Sequence, residues 1–264
     1  MENFKYSDER FADIQMLRYR LDDFEKLPLN KKKLIYYLSE ATLWGRDITF
    51  DQCGKYNLKI RKMLEAIYTS DKVDKNTEDY KAMSEYLKRV WFSNGIHHHY
   101  GCEKFVPGFS EQFLRRTVNN VSASQLPLSP GETPDNLVDE LRSVIFDHDF
   151  MAKRVNTKEG IDIVKGSACN FYDGVSQKEV EDFYKEFNTS DEVDPVSCGL
   201  NSTLRKREGK IFEDVWSLNG LYGNSIKHII YWLEKARNVA ENKGQSDYID
   251  TLVKYYKIGD LHVF

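Results

Sequence analysis

The sequence predicts a mainly α-helical fold of the α+β class that carries one small β-hairpin. Through several long segments, apolar residues recur at steps of three and four, the period of an amphipathic helix. Only one segment has the pattern of two short strands joined by a glycine turn. The chain has 264 residues, of which 41% are hydrophobic, 13% aromatic, 15 glycine and 6 proline. This composition is typical of a chain with a packed core.

Three helices are predicted in the first part of the chain, over residues 30–44, 56–68 and 77–92. Gly45 follows the first of them and is interpreted as its stop. Residues 95–110 are rich in histidine and aromatic residues and have no period, so we predict a loop there.

The middle of the chain predicts a short helix after Ser110 and then a connector rich in serine and proline. This connector, near residues 122–132, is the candidate internal boundary of a unit that otherwise covers residues 1–264. Thr133 followed by Pro134 predicts a capped helix start.

The last part of the chain contains the hairpin signal and three further helices. Ser176 and Glu179 match a capping box that opens a helix, and residues 188–199 are predicted to form a surface loop. Residues 200–206 and 210–216 flank a turn with Gly209 and predict the β-hairpin. Two helices then follow, one stopping near Gly244 and the other ending before Gly259.

Charge and hydropathy exclude several classes of function. Lys and Arg number 38 against 42 Asp and Glu, which gives a net charge of −4 and no basic field for nucleic acid. Because no apolar run reaches membrane length and no export signal is visible, we expect a cytoplasmic protein without a membrane partner. The apolar final residues His262-Val263-Phe264 suggest that a longer chain was cut here. Four widely spaced cysteines predict free thiols.

Standard catalytic motifs are missing from the sequence. It contains no His-Glu-x-x-His zinc helix, phosphate loop, dinucleotide fingerprint or Gly-x-Ser-x-Gly turn. A glycosidase would need two carboxylates facing each other across a cleft. The candidate acidic pairs are instead typical of solvated helix surfaces and ends: Asp22 with Asp23, Asp147 with Asp149, and Glu181 with Asp182.

The densest polar cluster is His97-His98-His99 with Cys102. Imidazole and thiolate are zinc ligands, but neighbouring residues point in different directions and cannot all converge on one ion. A loop that lines a cleft and a set of packed or solvated histidines are the alternatives. Tyr100 and Phe105 in the same stretch fit a ligand-pocket wall or a staple that holds the loop to the core.

Several segments together resemble the N-terminal region of bacterial dipeptidyl peptidase III (DPP III). The resemblance extends from about Phe11 to the last residue. It is carried by Phe11-Ala12-Asp13-Ile14, Gly45-Arg46-Asp47-Ile48, Val90-Trp91-Phe92-Ser93-Asn94-Gly95-Ile96-His97-His98-His99-Tyr100, Lys104-Phe105-Val106-Pro107, Gly199-Leu200-Asn201-Ser202 and Glu213-Asp214-Val215-Trp216.

The resemblance implies the N-terminal, lower-lobe part of a two-lobed zinc metallopeptidase that releases dipeptides from the N-terminus of oligopeptides. The family's His-Glu-x-x-x-His and Glu-Glu-Cys zinc motifs are absent from this sequence. The implied zinc therefore belongs to the full-length enzyme, and none is expected in this chain, which should be inactive alone. The implied partners are the oligopeptide substrate and the missing zinc-binding lobe.

The resemblance assigns no catalytic residue and no metal ligand to this chain, but it implies a substrate contact. Tyr100 matches an aromatic position on the cleft wall near the N-terminal residues of the bound peptide, and Asn94 and His99 are its neighbours in the loop. The alternatives are a stand-alone, non-enzymatic helical module that binds peptides or proteins, and a metal-binding protein that uses residues 97–102.

Overall fold

The structure is a computed structural model that describes residues 4–185, 187 and 196–264. Within these ranges the chain is α+β with a large helical content, as the sequence predicts. It forms two compact units. The first comprises Met1–Leu21, Cys53–Lys158 and Gly166–Ala168, and the second comprises the remaining segments.

The first unit is a helical cluster with a short two-stranded sheet at its N-terminal end. Its elements are β1 (Ser7–Phe11), β2 (Ile14–Leu17), α2 (Asn57–Thr69), α3 (Glu78–Ser93), α4 (Glu111–Asn120) and α5 (Pro134–Phe146). β1 and β2 are antiparallel and join through a turn in which Ala12 has φ 50°. This pair was not predicted, because residues 7–11 show no alternation of apolar and polar side chains.

Three helices of the first unit, α3, α4 and α5, start where polar side chains cap them. Thr77 accepts a hydrogen bond from the Tyr80 backbone N–H, and Ser110 caps α4 in the same way. Thr133 forms a capping box with Asn136 and is followed by Pro134, which confirms the predicted start of α5. α2 packs against α3 and α4, and α4 packs against α5. The fully buried core includes Ile60, Met63, Leu64, Ile67, Met83, Leu87, Leu114, Leu137, Leu141 and Ile145.

Over its described residues, the second unit combines a three-stranded sheet with four α-helices and a short 3-10 helix at Phe24–Lys26. Its elements are α1 (Leu29–Cys53, all but its last residue), β3 (Tyr172–Asp173), α6 (Gln177–Lys185), β4 (Ser202–Arg207), β5 (Lys210–Val215), α7 (Gly223–Arg237) and α8 (Lys243–Ile258). β4 and β5 form the predicted hairpin, and β3 pairs in parallel with β4. The turn residues Glu208 and Gly209 have φ 51° and 78°, as a two-residue hairpin turn requires.

The core of the second unit lies among α1, α7, α8 and the end of β5. Leu34 and Ala41 of α1 pack in one cluster with Trp216 and with the apolar faces of α7 and α8. The residues contributed by α7 and α8 are Ile226, Ile229, Ile230, Leu233, Ala236, Ile249 and Val253. α8 ends before Gly259, as predicted, and Gly259 adopts the left-handed conformation with φ 73°.

Two predicted helix stops are wrong. α1 continues through Gly45 to Cys53, and its added turns bury Phe50 to 2% exposure. A glycine inside a helix costs roughly 1 kcal/mol relative to alanine, which burial of a phenylalanine can offset. α7 ends earlier than predicted, at Arg237, and Gly244 lies in the first turn of α8. The side chain of Asn242 starts that helix by accepting a hydrogen bond from Gln245 N at 2.9 Å.

Residues 122–132, the candidate boundary, lie within the first unit. The predicted loop over residues 188–199 lies outside the described residues except for its last four positions. Within the part of the chain that the structure describes, no disulfide joins Cys53, Cys102, Cys169 or Cys198. Among the described helices, none combines the length and apolarity that a membrane span requires.

Candidate functional site

The loop that follows α3 contains all three residues that the resemblance assigns to substrate contact. Asn94 is the C-cap of α3 and has the left-handed φ of 54°, a conformation that asparagine adopts more readily than most residues. Asn57, at the start of α2, holds the following segment, because its Oδ1 accepts a hydrogen bond from the Ile96 backbone N–H at 3.3 Å. The loop therefore begins from a fixed point in the helical core.

Residues 98–102 form a tight turn, called here the 98–102 turn, that is held by a histidine side chain. His98 Nδ1 accepts hydrogen bonds from the backbone N–H groups of Tyr100 at 3.2 Å and Gly101 at 3.0 Å. The His98 carbonyl also accepts one from Cys102 N at 3.0 Å. Because Nδ1 acts as an acceptor, the neutral ring carries its proton on Nε2.

A second segment, residues 151–154, anchors the turn. The backbone N–H of Arg154 donates to the Cys102 carbonyl at 2.9 Å, and its guanidinium Nη2 donates to the His99 carbonyl at 3.0 Å. The Lys104 N–H donates to the Ala152 carbonyl at 3.1 Å. The turn is thus fixed from inside by His98 and from outside by Arg154.

Tyr100 lies at the tip of this restrained turn, and the residue is 86% exposed. Its ring is 4.3 Å from the ring of His99, and His99 is in turn 4.5 Å from His98 and 4.9 Å from Phe92 between ring centroids. The structure thus brings His99 and Tyr100 into contact. Asn94 belongs to the helix end, and its side chain has no hydrogen-bond partner in the part of the chain that the structure describes.

His97 has a structural role in the fold. It is only 2% exposed, and its Nε2 is 2.8 Å from the Met151 carbonyl, so Nε2 carries the proton and donates it. Burial lowers the pKa of His97 to about 4, although the hydrogen bond to Met151 opposes the shift. The ring is therefore neutral at physiological pH.

The described residues of the site form no cluster of metal-ligand side chains. Over residues 4–185, 187 and 196–264, no three His, Cys, Asp or Glu side chains come together in a way that could hold an ion. The hypothesis of a metal site at residues 97–102 therefore has no ligand set within those ranges. The described residues do not fit the zinc that the resemblance implies for the full-length enzyme.

The acidic pairs considered from the sequence are exposed to solvent. The side chains in question all belong to exposed residues: Asp22, Asp23, Asp147, Asp149, Glu181 and Asp182. This agrees with their interpretation as solvated carboxylates, whose ionised form water stabilises.

Two cationic side chains at the site, Arg154 and Lys104, were not predicted from the sequence. Arg154 holds the turn from 55 positions away in the chain, and Lys104 is buried just after it. Burial lowers the pKa of Lys104. No local pattern links Arg154 to the turn, because side-chain periodicity reports neighbours within one element.

Comparison with known proteins shows a similar fold. No family model matches the sequence, and no curated protein matches it. Among solved structures, DPP III from Caldithrix abyssi matches with a TM-score of 0.53 at 18% sequence identity. The match covers 90% of this chain and 32% of that chain, so this chain spans about a third of that protein's length. The chain therefore has a DPP III-like fold over most of its residues.

Proposed function

We propose that this chain is the N-terminal part of a zinc-dependent dipeptidyl peptidase and forms one wall of its peptide cleft, with Tyr100 in contact with the substrate. The observation that carries the proposal is the 98–102 turn. Tyr100, a residue that is 86% exposed, stands at the tip of a turn fixed by His98 and Arg154. The DPP III-like fold and the sequence resemblance support the assignment to this enzyme class.

A restrained turn favours binding for an energetic reason. Ordering a mobile side chain on binding costs about 0.5–1.5 kcal/mol, and a loop that must also order costs more. Tyr100 projects from a backbone that is already held by four hydrogen bonds or more, so contact with a peptide requires little further ordering. The ring offers a large apolar face and a hydroxyl group, which together suit a peptide backbone and its side chains.

Under this proposal, hydrolysis takes place on residues outside the chain. Cleaving a peptide bond with zinc needs three protein ligands, an open coordination position and a general base. We propose that the zinc-binding lobe supplies these groups and that the cleft wall orients the peptide against them. His99 supports the Tyr100 ring in this scheme, and Asn94 fixes the end of α3.

A hydrolysis assay tests whether cleavage depends on residues outside this chain. The purified chain, incubated with zinc and a dipeptidyl-naphthylamide, is expected to release no naphthylamine. Turnover that a chelator abolishes would show that the chain contains a complete metal site, and the proposal would then be wrong.

A substitution tests the role of Tyr100. Tyr100→Ala is expected to weaken binding of a short peptide with a free amino terminus by about tenfold, a loss of roughly 1.4 kcal/mol. The free energy of unfolding of Tyr100→Ala should remain within about 0.5 kcal/mol of the wild-type value, because Tyr100 is exposed. Tyr19→Ala is the matched control, since Tyr19 is 79% exposed in the same unit but lies outside the turn. Equal binding by both variants would contradict the proposed contact.

The alternative is a stand-alone module that binds peptides or proteins through the same exposed turn, without chemistry. The gene sequence distinguishes the two functions. A reading frame that continues beyond Phe264 into a His-Glu-x-x-x-His segment supports the peptidase, whereas a stop codon at that point supports the module.

A further inference from the structure

The second unit contains a cavity of about 350 Å³ that the proposed function does not use. Gly45, Ile48 and Gln52, spaced three and four positions apart along one face of α1, form one wall. Trp216 after β5, Ile229 of α7 and Tyr256 of α8 are among the residues that line the rest of it. Cavities of roughly 300–1,000 Å³ with mostly apolar walls and a few polar groups are typical of small-ligand sites.

Gly45 keeps this cavity open at the helix wall. It lies within α1, where a glycine lowers helix stability, and its φ is not left-handed. A Cβ built at Gly45 would meet no atom within 4 Å, so no described neighbour requires the absence of a side chain. Gly45 lines the cavity, so the space that a longer side chain would fill is part of the cavity.

The lining indicates a neutral occupant. No Asp, Glu, Lys, Arg or His is among the described residues that line the cavity. An ionic group placed there would find no oppositely charged side chain among these lining residues. Apolar contacts with Trp216 and Ile229 would favour an aromatic or branched aliphatic group.

Two polar groups in the lining are available for hydrogen bonding. Within the described residues, neither the Gln52 side-chain amide nor the Tyr256 hydroxyl has a hydrogen-bond partner. Each can both donate and accept, which matches the N–H and C=O of a peptide group. Burial raises the pKa of Tyr256, so its hydroxyl keeps its proton at neutral pH.

We propose that this cavity binds a neutral peptide segment, with an aromatic or branched aliphatic side chain inside and the adjoining peptide group on Gln52 and Tyr256. The site is independent of the proposed function, because none of its residues belongs to the 98–102 turn.

Titration with N-acetyl-L-phenylalaninamide tests the ligand class. The readout is the NMR signal of the Trp216 indole N–H, identified by its loss in Trp216→Phe. A saturable shift of this signal is expected, with at least about tenfold weaker binding of N-acetyl-L-lysinamide and of the α-amide of N-acetyl-L-glutamate. The proposal is overturned if the neutral probe gives no saturable shift or if the charged probes bind equally well.

Substitution on α1 tests the location. Gly45→Leu is expected to weaken binding of the neutral probe at least about tenfold while the Tm stays equal to or above that of wild type. Ser39→Leu adds the same side chain at an exposed α1 position outside the cavity and should bind as wild type does. Gln52→Leu should weaken binding several-fold. Unchanged affinity in Gly45→Leu would overturn the cavity as the site, and unchanged affinity in Gln52→Leu would overturn the peptide-group contact.

Discussion

The ammonium group of Lys104 is held by backbone carbonyl oxygens at the C-terminal end of α5. Nζ donates to the Val144 carbonyl at 3.2 Å and also to the carbonyls of Asp147 and Phe150. Lys104 is only 7% exposed, so these bonds form away from bulk water. A cation at this position also interacts favourably with the negative end of the helix dipole.

Lys104→Met is expected to destabilise the protein by about 3 kcal/mol. Methionine keeps the bulk of the side chain but leaves buried carbonyl oxygens without their charged donor. Urea unfolding followed by circular dichroism measures the change. Lys153→Met is the control, because Lys153 is 44% exposed in its pair with Glu103 and should change stability by less than about 1 kcal/mol. Equal losses in both variants would contradict the role of Lys104.

The buried neutral ring of His97 predicts a pH dependence of stability. Its pKa is about 4 in the folded chain against an ordinary 6.5, so between these values the unfolded chain binds a proton that the folded chain does not. The contribution of neutral His97 to the free energy of unfolding is therefore fully present above pH 6.5. It falls by roughly 3 kcal/mol in total as the pH drops toward about 4.

His97→Gln removes the titrating group and keeps a donor for the Met151 carbonyl. The variant should lose less stability than wild type over the same pH range, as measured by urea unfolding at a series of pH values. If the free energy of unfolding changed with pH equally in both proteins, His97 would not be the cause of the pH dependence.

The candidate site was predicted from the sequence only in part. The aperiodic stretch of histidine and aromatic residues gave the position of the loop, and the resemblance selected Tyr100 within it. What the sequence could not give was the clamp from Arg154, since the two partners are 55 positions apart. The selection of Asn94, His99 and Tyr100 as substrate contacts remains a prediction.

At the level of elements, predictions that rest on local chemistry are confirmed. The capping box of Ser176 and Glu179 forms, with Ser176 N donating to Glu179 Oε2 at 2.8 Å and Glu179 N donating to Ser176 Oγ at 3.4 Å. Such signals are reliable because both partners lie within one helical turn. The predicted helix end at Gly45 was wrong because glycine permits a helix to end but does not require it. Packing of the residues after Gly45 keeps α1 helical to Cys53.

Gly45→Ala is expected to stabilise the protein by about 0.5–1 kcal/mol, because alanine favours the helix and the added Cβ meets no atom within 4 Å. Gly209→Ala is the matched comparison, for which the opposite change in stability is expected. Its Cβ also meets open space, but φ is 78°, so alanine should destabilise by about 1 kcal/mol or more. Calorimetric melting of both variants measures these shifts, and a lower Tm for Gly45→Ala would contradict the account of α1.

For the whole molecule, composition and periodicity predict the fold class, and comparison adds the DPP III-like fold over 90% of the chain. The sequence suggested a boundary near residues 122–132 but not which segments form the two units, because that depends on contacts between segments that are distant in sequence. The first unit, for example, collects residues before Leu21 together with Cys53–Lys158. The chain corresponds to about a third of DPP III from Caldithrix abyssi, so activity is a property to be tested on a longer protein.

The most direct test is an assay of dipeptide release by the product of the complete reading frame that contains this chain. We predict release of N-terminal dipeptides from short peptides, loss of this activity with a zinc chelator, and a KM raised about tenfold by Tyr100→Ala. A complete product that releases no dipeptide under these conditions would contradict the assignment of the chain to a zinc dipeptidyl peptidase.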